Sequence, residues 1–300
     1  MKVTLADSLG TCFGVDDAIQ EAMDPQFRGN LTIIGQLVHN PQTVQQLRDN
    51  GVEIVNSADD VITTPNVMIT AHGAAKSVHE KAEAKGYKVY DATCPLVMKV
   101  HKSIARLVEE GYFPVVIGQA SHVEVRGIVT DLKEFSVIYD ENDFNKIIDK
   151  PKIGIVSQTT NQINTVRSIV EKIRALRNPD GSEKDVKFID TVCKPTKDRQ
   201  VAVEKLSSEV DLMIVIGGYN SSNTKKLKKV CDDKGLPAYH IEKSHELNAE
   251  WFRGIERVGI TAGTSTPSYV IDQVYQAVVS MGEQLDAEKN GSPTSLPVSA

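Results

Sequence analysis

Strand-like apolar runs alternate with helix-like amphipathic stretches along almost the whole chain, and that order limits the fold more than any other feature. Apolar runs read as strands at 3–6, 31–38, 67–70, 88–90, 114–117, 153–156, 188–189, 212–216 and 258–260. Apolar spacing predicts helices from near 15, then over 41–49, 74–85, 95–110, 164–176, 198–208, 224–233 and 268–281. Parallel strands need a crossover between them, usually a helix, so the pattern predicts an α/β fold built on parallel sheets. The longest apolar runs, such as 212–216, fall far short of the roughly 20 residues that span a bilayer. The stretch from 283 to 300 is polar, carries Gly291, Pro293 and Pro297, and shows no periodicity, so it is expected to be largely disordered.

A weak repeat subdivides the chain. Residues 87–95 resemble 187–195: each has a strand, an aspartate (Asp91, Asp190), two short residues, a cysteine (Cys94, Cys193) and a nearby proline that opens a helix. Residues 3–7 with Cys12 form a looser third copy, which gives one such cysteine per third of the chain. Three similar units of about 90 residues fit this better than two larger ones. The expected boundaries are 1–94, 95–193 and 194–282, with the N-terminal strand free to join the third unit and a tail at 283–300.

Thirty-four basic residues stand against 40 acidic ones, a net charge of −6. That balance argues against a nucleic-acid partner, which calls for a basic face. Asp7 interrupts the N-terminus before a signal-peptide apolar region can form, so a cytoplasmic location is expected. Four cysteines in such a setting point to metal binding or catalysis rather than disulfides.

Ligands of open α/β units collect where strands end and helices begin. Those junctions hold His39 and Asn40, His72 and Gly73, His122 and Glu124, Gln158 with Thr159 and Thr160, Ser221 with Ser222 and Asn223, and Ser265 with Thr266. Nearly all are hydroxyl, amide, glycine or imidazole groups. With helix N-termini nearby, they describe a site for a phosphate or diphosphate held by neutral donors. Neither GxxxxGK[ST] nor GxGxxG occurs, which excludes a P-loop or a dinucleotide fingerprint. Taken singly, Asn40 before Pro41, Thr266 before Pro267, and Ser222 or Asn223 before Thr224 read as helix caps. A lone strand-end histidine is more often structural, but three in equivalent places favour function. His79 and His101 lie on predicted helices and read as structural.

Cys12, Cys94 and Cys193 each follow a strand at or near a helix start, where the helix terminus is expected to lower a thiol's pKa and favour metal ligation. Cys231 falls within a helix and reads as a packing residue. Three thiolates are one short of a closed zinc or cluster site, so either another ligand completes it or the gap is where chemistry happens. His122-Val-Glu124 matches half of a zinc-deaminase signature, but the PCxxC half is absent. Glu124 is the one carboxylate in the group: a proton donor on one reading, a solvated loop carboxylate or partner of Arg126 on the other.

These blocks resemble the 4-hydroxy-3-methylbut-2-enyl diphosphate reductase family. The matching pieces are Gly10-Thr-Cys12-Phe-Gly14-Val15, Val38-His39-Asn40, Ala71-His72-Gly73, Asp91-Ala-Thr-Cys94-Pro-Leu-Val-Met-Lys-Val-His101, His122-Val-Glu124, Gln158-Thr159-Thr160, Cys193, Asn220-Ser221-Ser222-Asn223 and Thr261-Ala-Gly-Thr-Ser265-Thr-Pro267. They follow the family's order across residues 3 to 282. The resemblance implies three α/β units in a pseudo-threefold trefoil around one [4Fe-4S] cluster, held by Cys12, Cys94 and Cys193 with one iron open. It implies a diphosphate held by His39, His72, His122, Ser221, Ser222, Asn223 and Ser265, with Glu124 delivering protons beside Thr159. The implied reaction is reductive dehydroxylation to isopentenyl and dimethylallyl diphosphates, with electrons from reduced flavodoxin or ferredoxin. A non-catalytic paralogue of the same fold, and a zinc-bound or metal-free phosphate-binding module, are the alternatives.

The chain departs from the family pattern at Thr11 and Phe13 around the first cysteine, at Gln119 and Val123 near His122, and at Lys194-Pro195-Thr196-Lys197 after the third cysteine. None removes a functional residue; Phe13 and Val123 bear on the pocket wall and on proton delivery. Lys225, Lys226, Lys228 and Lys229 make a basic helix face, read first as solvated and second as a dock for an acidic electron carrier.

Overall fold

A computed structural model describes residues 1–289, which form three four-stranded sheets, all parallel. One holds β2 (Leu31–Ile34), β3 (Glu53–Val55), β4 (Asn66–Ile69) and β5 (Lys88–Asp91) in the order β3-β2-β4-β5. The next holds β6 (Phe113–Ile117), β7 (Ser136–Ile138), β8 (Lys152–Ser157) and β9 (Asp185–Phe188) in the order β7-β6-β8-β9. The last holds β10 (Leu212–Ile216), β11 (Ala238–Ile241) and β12 (Arg257–Ala262), with β1 (Lys2–Leu5) completing the order β11-β10-β12-β1. All three sheets therefore share one topology: second strand, first, third, fourth. In the last sheet the fourth strand comes from the N-terminus, with Lys2 opposite Arg257 and Leu5 opposite Ile260.

The helices are α1 (Phe13–Ala22), α2 (Pro41–Asp49), α3 (Lys76–Ala84), α4 (Pro95–Glu109), α5 (Val123–Val129), α6 (Ile163–Ala175), α7 (Lys194–Leu206), α8 (Ser222–Asp233) and α9 (Ser268–Lys289). Strands covered on both faces need apolar residues at every position. In β10, Leu212, Ile214 and Ile216 pack with Val270, Val274 and Val278 of α9. Met213 and Val215, pointing to the other face, pack with Val203 and Leu206 of α7 and Leu227 of α8.

Contacts divide the chain into two compact units, one comprising residues 12–197 and the other residues 1–11 with 198 onward. The first contains the sheets of β2 to β5 and β6 to β9; the second contains the sheet completed by β1. The stretch expected to be disordered from 283 is helical as far as Lys289. It is fixed because the α-ammonium of Met1 donates to Asp286 at 2.8 Å and Leu285 packs on the core. The rest of that expectation, 290–300, lies outside the described residues.

The alternation read from sequence misses β3, β7 and β11, the second strand of each sheet. Each is three or four residues long, too short to display a period. It also misses α5, seven residues interrupted by Gly127.

Candidate functional site

The cysteines occupy topologically matched places: Cys12 follows β1, Cys94 follows β5 and Cys193 follows β9, each just beyond the fourth strand of a sheet. Register extends the match one step back. Asp91 pairs with Ile69, and continuing the ladders of the other two sheets brings Asp190 opposite Ser157 and Asp7 opposite Ala262. Cys12 is the N-cap residue of α1 and Cys94 that of α4, with Pro95 at the first helical position.

All four cysteines are free thiols. The expected lowering by helix termini is overturned for Cys94 and Cys193: burial pushes both thiols up, Cys193 to about 11. For Cys94, backbone N–H groups of Leu96 and Val97 pull the other way but are outweighed. Both thiols also feel Cys12 and Glu124 electrostatically, which puts the three cysteines and the carboxylate in one neighbourhood of the 12–197 unit. A metal would settle the matter, because a coordinating thiol is deprotonated outright. Cys231, fully buried in α8, packs among Leu227 and Val230 as expected.

The donor set can be tested against an iron–sulfur group. Gly14 keeps space at one sulfur: a Cβ there would lie 2.4 Å from Cys94 Sγ. Cys193 Sγ stands 3.0 Å from Thr196 Oγ1, a hydroxyl able to donate to a thiolate. Among the described residues, no three His, Cys, Asp or Glu side chains gather at the spacing of a single metal ion. Thiolates are the ligands that iron–sulfur groups take, so the chemistry of these three donors is compatible with such a group.

The three strand-end histidines converge within the same unit. His39 and His72 ring centroids are 4.3 Å apart, and His122 lies 5.6 Å from His39 and 5.9 Å from His72. The loop after β2 supplies the first, the loop after β4 the second and the loop after β6 the third. Burial, reinforced by the neighbouring imidazoles, holds His72 well below its ordinary range and His122 down to about 4. Both rings are therefore neutral at pH 7. His122 Nδ1 accepts from the Glu124 backbone N–H at 3.2 Å, which places the ring proton on Nε2. That Nε2 is buried and without a partner, as is His72 Nδ1. An unsatisfied buried donor is costly, and an anion would satisfy it.

Glu124 is neither solvated nor paired with Arg126. It lies in the first turn of α5 and is 1% exposed. Its Oε1 accepts from the Thr159 N–H at 2.7 Å and its Oε2 from the Thr159 hydroxyl at 2.9 Å. Those bonds favour the charged form, but burial outweighs them and pushes the carboxyl up to about 7. Glu124 therefore holds a proton at neutral pH for part of the time.

In the other unit, Ser221 rather than Ser222 or Asn223 caps α8, accepting from Thr224 N at 3.3 Å. Asn223 is 1% exposed, with neither amide atom partnered. The loop holding Ser265 runs alongside: Gly263 N donates to Ile216 O at 2.9 Å, and a Cβ on Gly263 would lie 3.6 Å from Asn223 Nδ2. Thr266 does not cap α9; its hydroxyl donates to Ile216 O at 3.1 Å. Asn40 does cap α2, accepting from Thr43 N at 3.0 Å.

Two buried polar residues have tasks that the sequence does not show, although Gln158 is among the junction residues it picks out. Gln158, 1% exposed, accepts from Gln119 N at 3.2 Å and donates to Thr160 Oγ1 at 3.0 Å, bracing the loops of His122 and Thr159. Arg199, 5% exposed, donates to the carbonyls of Gly10 at 2.6 Å and Thr11 at 2.9 Å. A single arginine in an amphipathic helix gives no signal of such a task.

Neutral imidazoles with unsatisfied donors, a buried proton-bearing carboxyl and free thiols at matched strand ends define an α/β protein equipped for a proton-coupled redox step on an anionic substrate. Comparison with known proteins agrees. Residues 3–279 match the LytB protein family. A 4-hydroxy-3-methylbut-2-enyl diphosphate reductase from Geobacter sulfurreducens is 38% identical over 97% of this chain and 100% of its own. One from Aquifex aeolicus is 38% identical over 91% of this chain and 94% of its own. A solved structure described as (E)-4-hydroxy-3-methyl-but-2-enyl diphosphate reductase, the terminal enzyme of the non-mevalonate pathway, is similar at 37% identity and a TM-score of 0.66, covering 93% of this chain and all of that one. The Plasmodium falciparum E-1-hydroxy-2-methyl-but-2-enyl-4-diphosphate reductase is similar at 28% identity and a TM-score of 0.82, over 93% of this chain and 87% of that one. The chain belongs to the LytB family.

Proposed function

We propose that this chain is an iron–sulfur oxidoreductase that converts (E)-4-hydroxy-3-methylbut-2-enyl diphosphate to isopentenyl and dimethylallyl diphosphates, the last step of the methylerythritol phosphate route to isoprenoids. Two electrons and two protons enter, the allylic C–O bond breaks, a C–H bond forms and water leaves. Cys12, Cys94 and Cys193 would hold one [4Fe-4S] cluster with one iron lacking a protein ligand, a group that supplies electrons and Lewis acidity at the departing hydroxyl.

The remaining tasks fall to side chains. His39 and the neutral His72 and His122 donate to the diphosphate in one unit. Ser221, Ser222, Asn223 and Ser265 offer the same kind of donor in the other. Preorganised neutral donors orient an anion without burying extra charge. Glu124 carries the proton, and Thr159 fixes both of its oxygens. The electron donor is a reduced flavodoxin or ferredoxin. Free thiols throughout fit the reducing cytoplasm, and no described helix is long and apolar enough to cross a membrane.

The observation that carries this reading is Glu124, a buried carboxyl raised to about 7 and bonded through its backbone to an imidazole whose outer nitrogen is unsatisfied. Anaerobically purified protein is expected to be brown, with iron and acid-labile sulfide in equal amounts, and to turn over the substrate with dithionite and a viologen. Cys94→Ser is expected to abolish iron content, whereas Cys231→Ser leaves it unchanged. Colourless, zinc-containing protein, or brown protein without turnover, would refute the reading.

A further inference from the structure

The loops after β2, β6 and β10 share an opening. In each, a glycine N–H bonds the end of the sheet's second strand: Gly35 to Val55 O at 2.7 Å, Gly118 to Ile138 O at 3.0 Å and Gly217 to Ile241 O at 2.9 Å. The first two loops lead to His39 and His122, the third to Ser221.

The third loop has a bracket built from β11 and the turn beyond it. His240 Nε2 meets Gly217 O at 2.8 Å. Glu242 Oε1 accepts the Tyr219 backbone N–H at 2.6 Å. The Tyr219 hydroxyl donates to Glu246, whose Oε1 accepts the Glu242 N–H at 3.2 Å. The Tyr219 and His240 rings lie 4.9 Å apart. At the place of His240, the other two sheets carry Ile54 and Val137, which have no side-chain hydrogen-bonding group.

The difference follows from reach. An imidazole Nε2 lies several bonds beyond Cα and adjusts by torsion, whereas a serine hydroxyl sits one bond beyond Cβ, so its placement is the backbone's placement. Polar contacts to a ligand need accuracy of roughly half an ångström. Asn223, two residues on, presents two buried unpartnered amide atoms whose aim is set by the same backbone. A Cβ at Gly217 would lie 2.5 Å from Thr224 Oγ1, so this backbone is pressed against the start of α8 as well.

We infer that Glu242 and His240 are positioning residues for the serine end of the diphosphate site, acting through the backbone of 217–219 rather than by touching substrate. This rests on the diphosphate reading above.

The test uses cluster-loaded enzyme with Glu242→Ala, Glu242→Gln, His240→Phe and His240→Gln. It reads KM and kcat for the reductase substrate, and calorimetric affinity for inorganic diphosphate. Losing one charge-assisted bond to the loop is expected to raise KM and weaken diphosphate binding about tenfold in Glu242→Ala, with kcat changed less than about twofold. Glu242→Gln retains an acceptor oxygen and His240→Gln a donor, so both are expected to recover most of the affinity. His240→Phe attacks the same loop from its other side and covers the case in which Glu242→Ala fails to fold. Unchanged diphosphate affinity in both Glu242→Ala and His240→Phe overturns the inference. So does equal loss in the alanine and glutamine variants, or loss confined to kcat. Wild-type enzyme that binds no inorganic diphosphate overturns the diphosphate reading itself, and the inference with it.

Discussion

The loops after β2 and β6 end in imidazoles, while the loop after β10 ends in a hydroxyl, although all three leave the first strand of sheets with one strand order. The loop after β6 carries His122, a neutral imidazole with a buried unpartnered nitrogen, and, two residues on, the buried Glu124. The hydroxyl loop is instead tied down by Glu242 and Glu246 from the turn beyond β11. Repeated topology thus delivers a residue to each strand end, and side-chain length decides how firmly the backbone beneath must be held. On the function proposed above, the histidines serve binding together with proton transfer, and the serines binding alone.

The strongest challenge to that division is Glu124→Gln. Loss of a positioned proton donor is expected to cut kcat by roughly 10²–10⁴-fold with diphosphate affinity preserved. In wild-type enzyme, kcat/KM is expected to fall as pH rises above about 7, because the proposed proton donor loses its proton there. Folding stability moves in the same direction. The folded carboxyl sits near 7 against an ordinary 4.5, so the folded state binds more protons between those values and stability drops across that window as pH rises. Glu124→Gln in cluster-free protein is therefore expected to be more stable at pH 8 by about 3 kcal/mol, a gain that fades below about pH 5 in thermal melts. Equal stability at both pH values would contradict it.

Next in size is His72→Phe, which keeps an aromatic ring in the cradle and removes its polar nitrogens. A lost hydrogen bond to an anion is expected to raise KM by about 10–100-fold, with the pH profile still governed by Glu124. Ser221→Ala sharpens the contrast from the other side. It removes the proposed ligand hydroxyl and the α8 cap together, so KM should rise about tenfold and stability should fall by about 1 kcal/mol, with no change in the pH profile. A shifted profile in this variant would show that the serine side shares the proton chemistry. The smallest effect is reserved for Asp7→Asn. Asp7 sits beside the topologically matched cysteine position but meets Lys205 in an exposed pair, so its loss is expected to cost under about 0.5 kcal/mol and leave turnover intact.

The sequence carries more of the scaffold than of the site. The parallel α/β architecture is legible because long runs such as β10 are apolar at every position, and 41–49 and 212–216 match α2 and β10 at both ends. The short second strands are invisible for the opposite reason: Glu53-Ile-Val and Ser136-Val-Ile are too brief to show a period and owe their conformation to one neighbour. The family's motif residues can be picked out one by one, but the approach of His39, His72 and His122 depends on two sheets and is written in no local spacing. The thiols show the limit of local argument most plainly. A helix N-terminus predicts lowered pKa values, and burial, a property of the assembled fold, reverses the sign at Cys94 and Cys193.

The pairing of β1 with β12 bears on how the chain is made. The segments supplying β2 to β5 and β6 to β9 leave the ribosome as contiguous blocks, so each of those sheets has all its strands early in synthesis. Lys2 to Leu5 emerge before any of them, yet their ladder partner is not translated until Arg257 to Ile260. Lys2 to Leu5, made before the other described strands, are thus among the last to be hydrogen-bonded, and a ribosome stalled before β12 leaves them without their ladder partner.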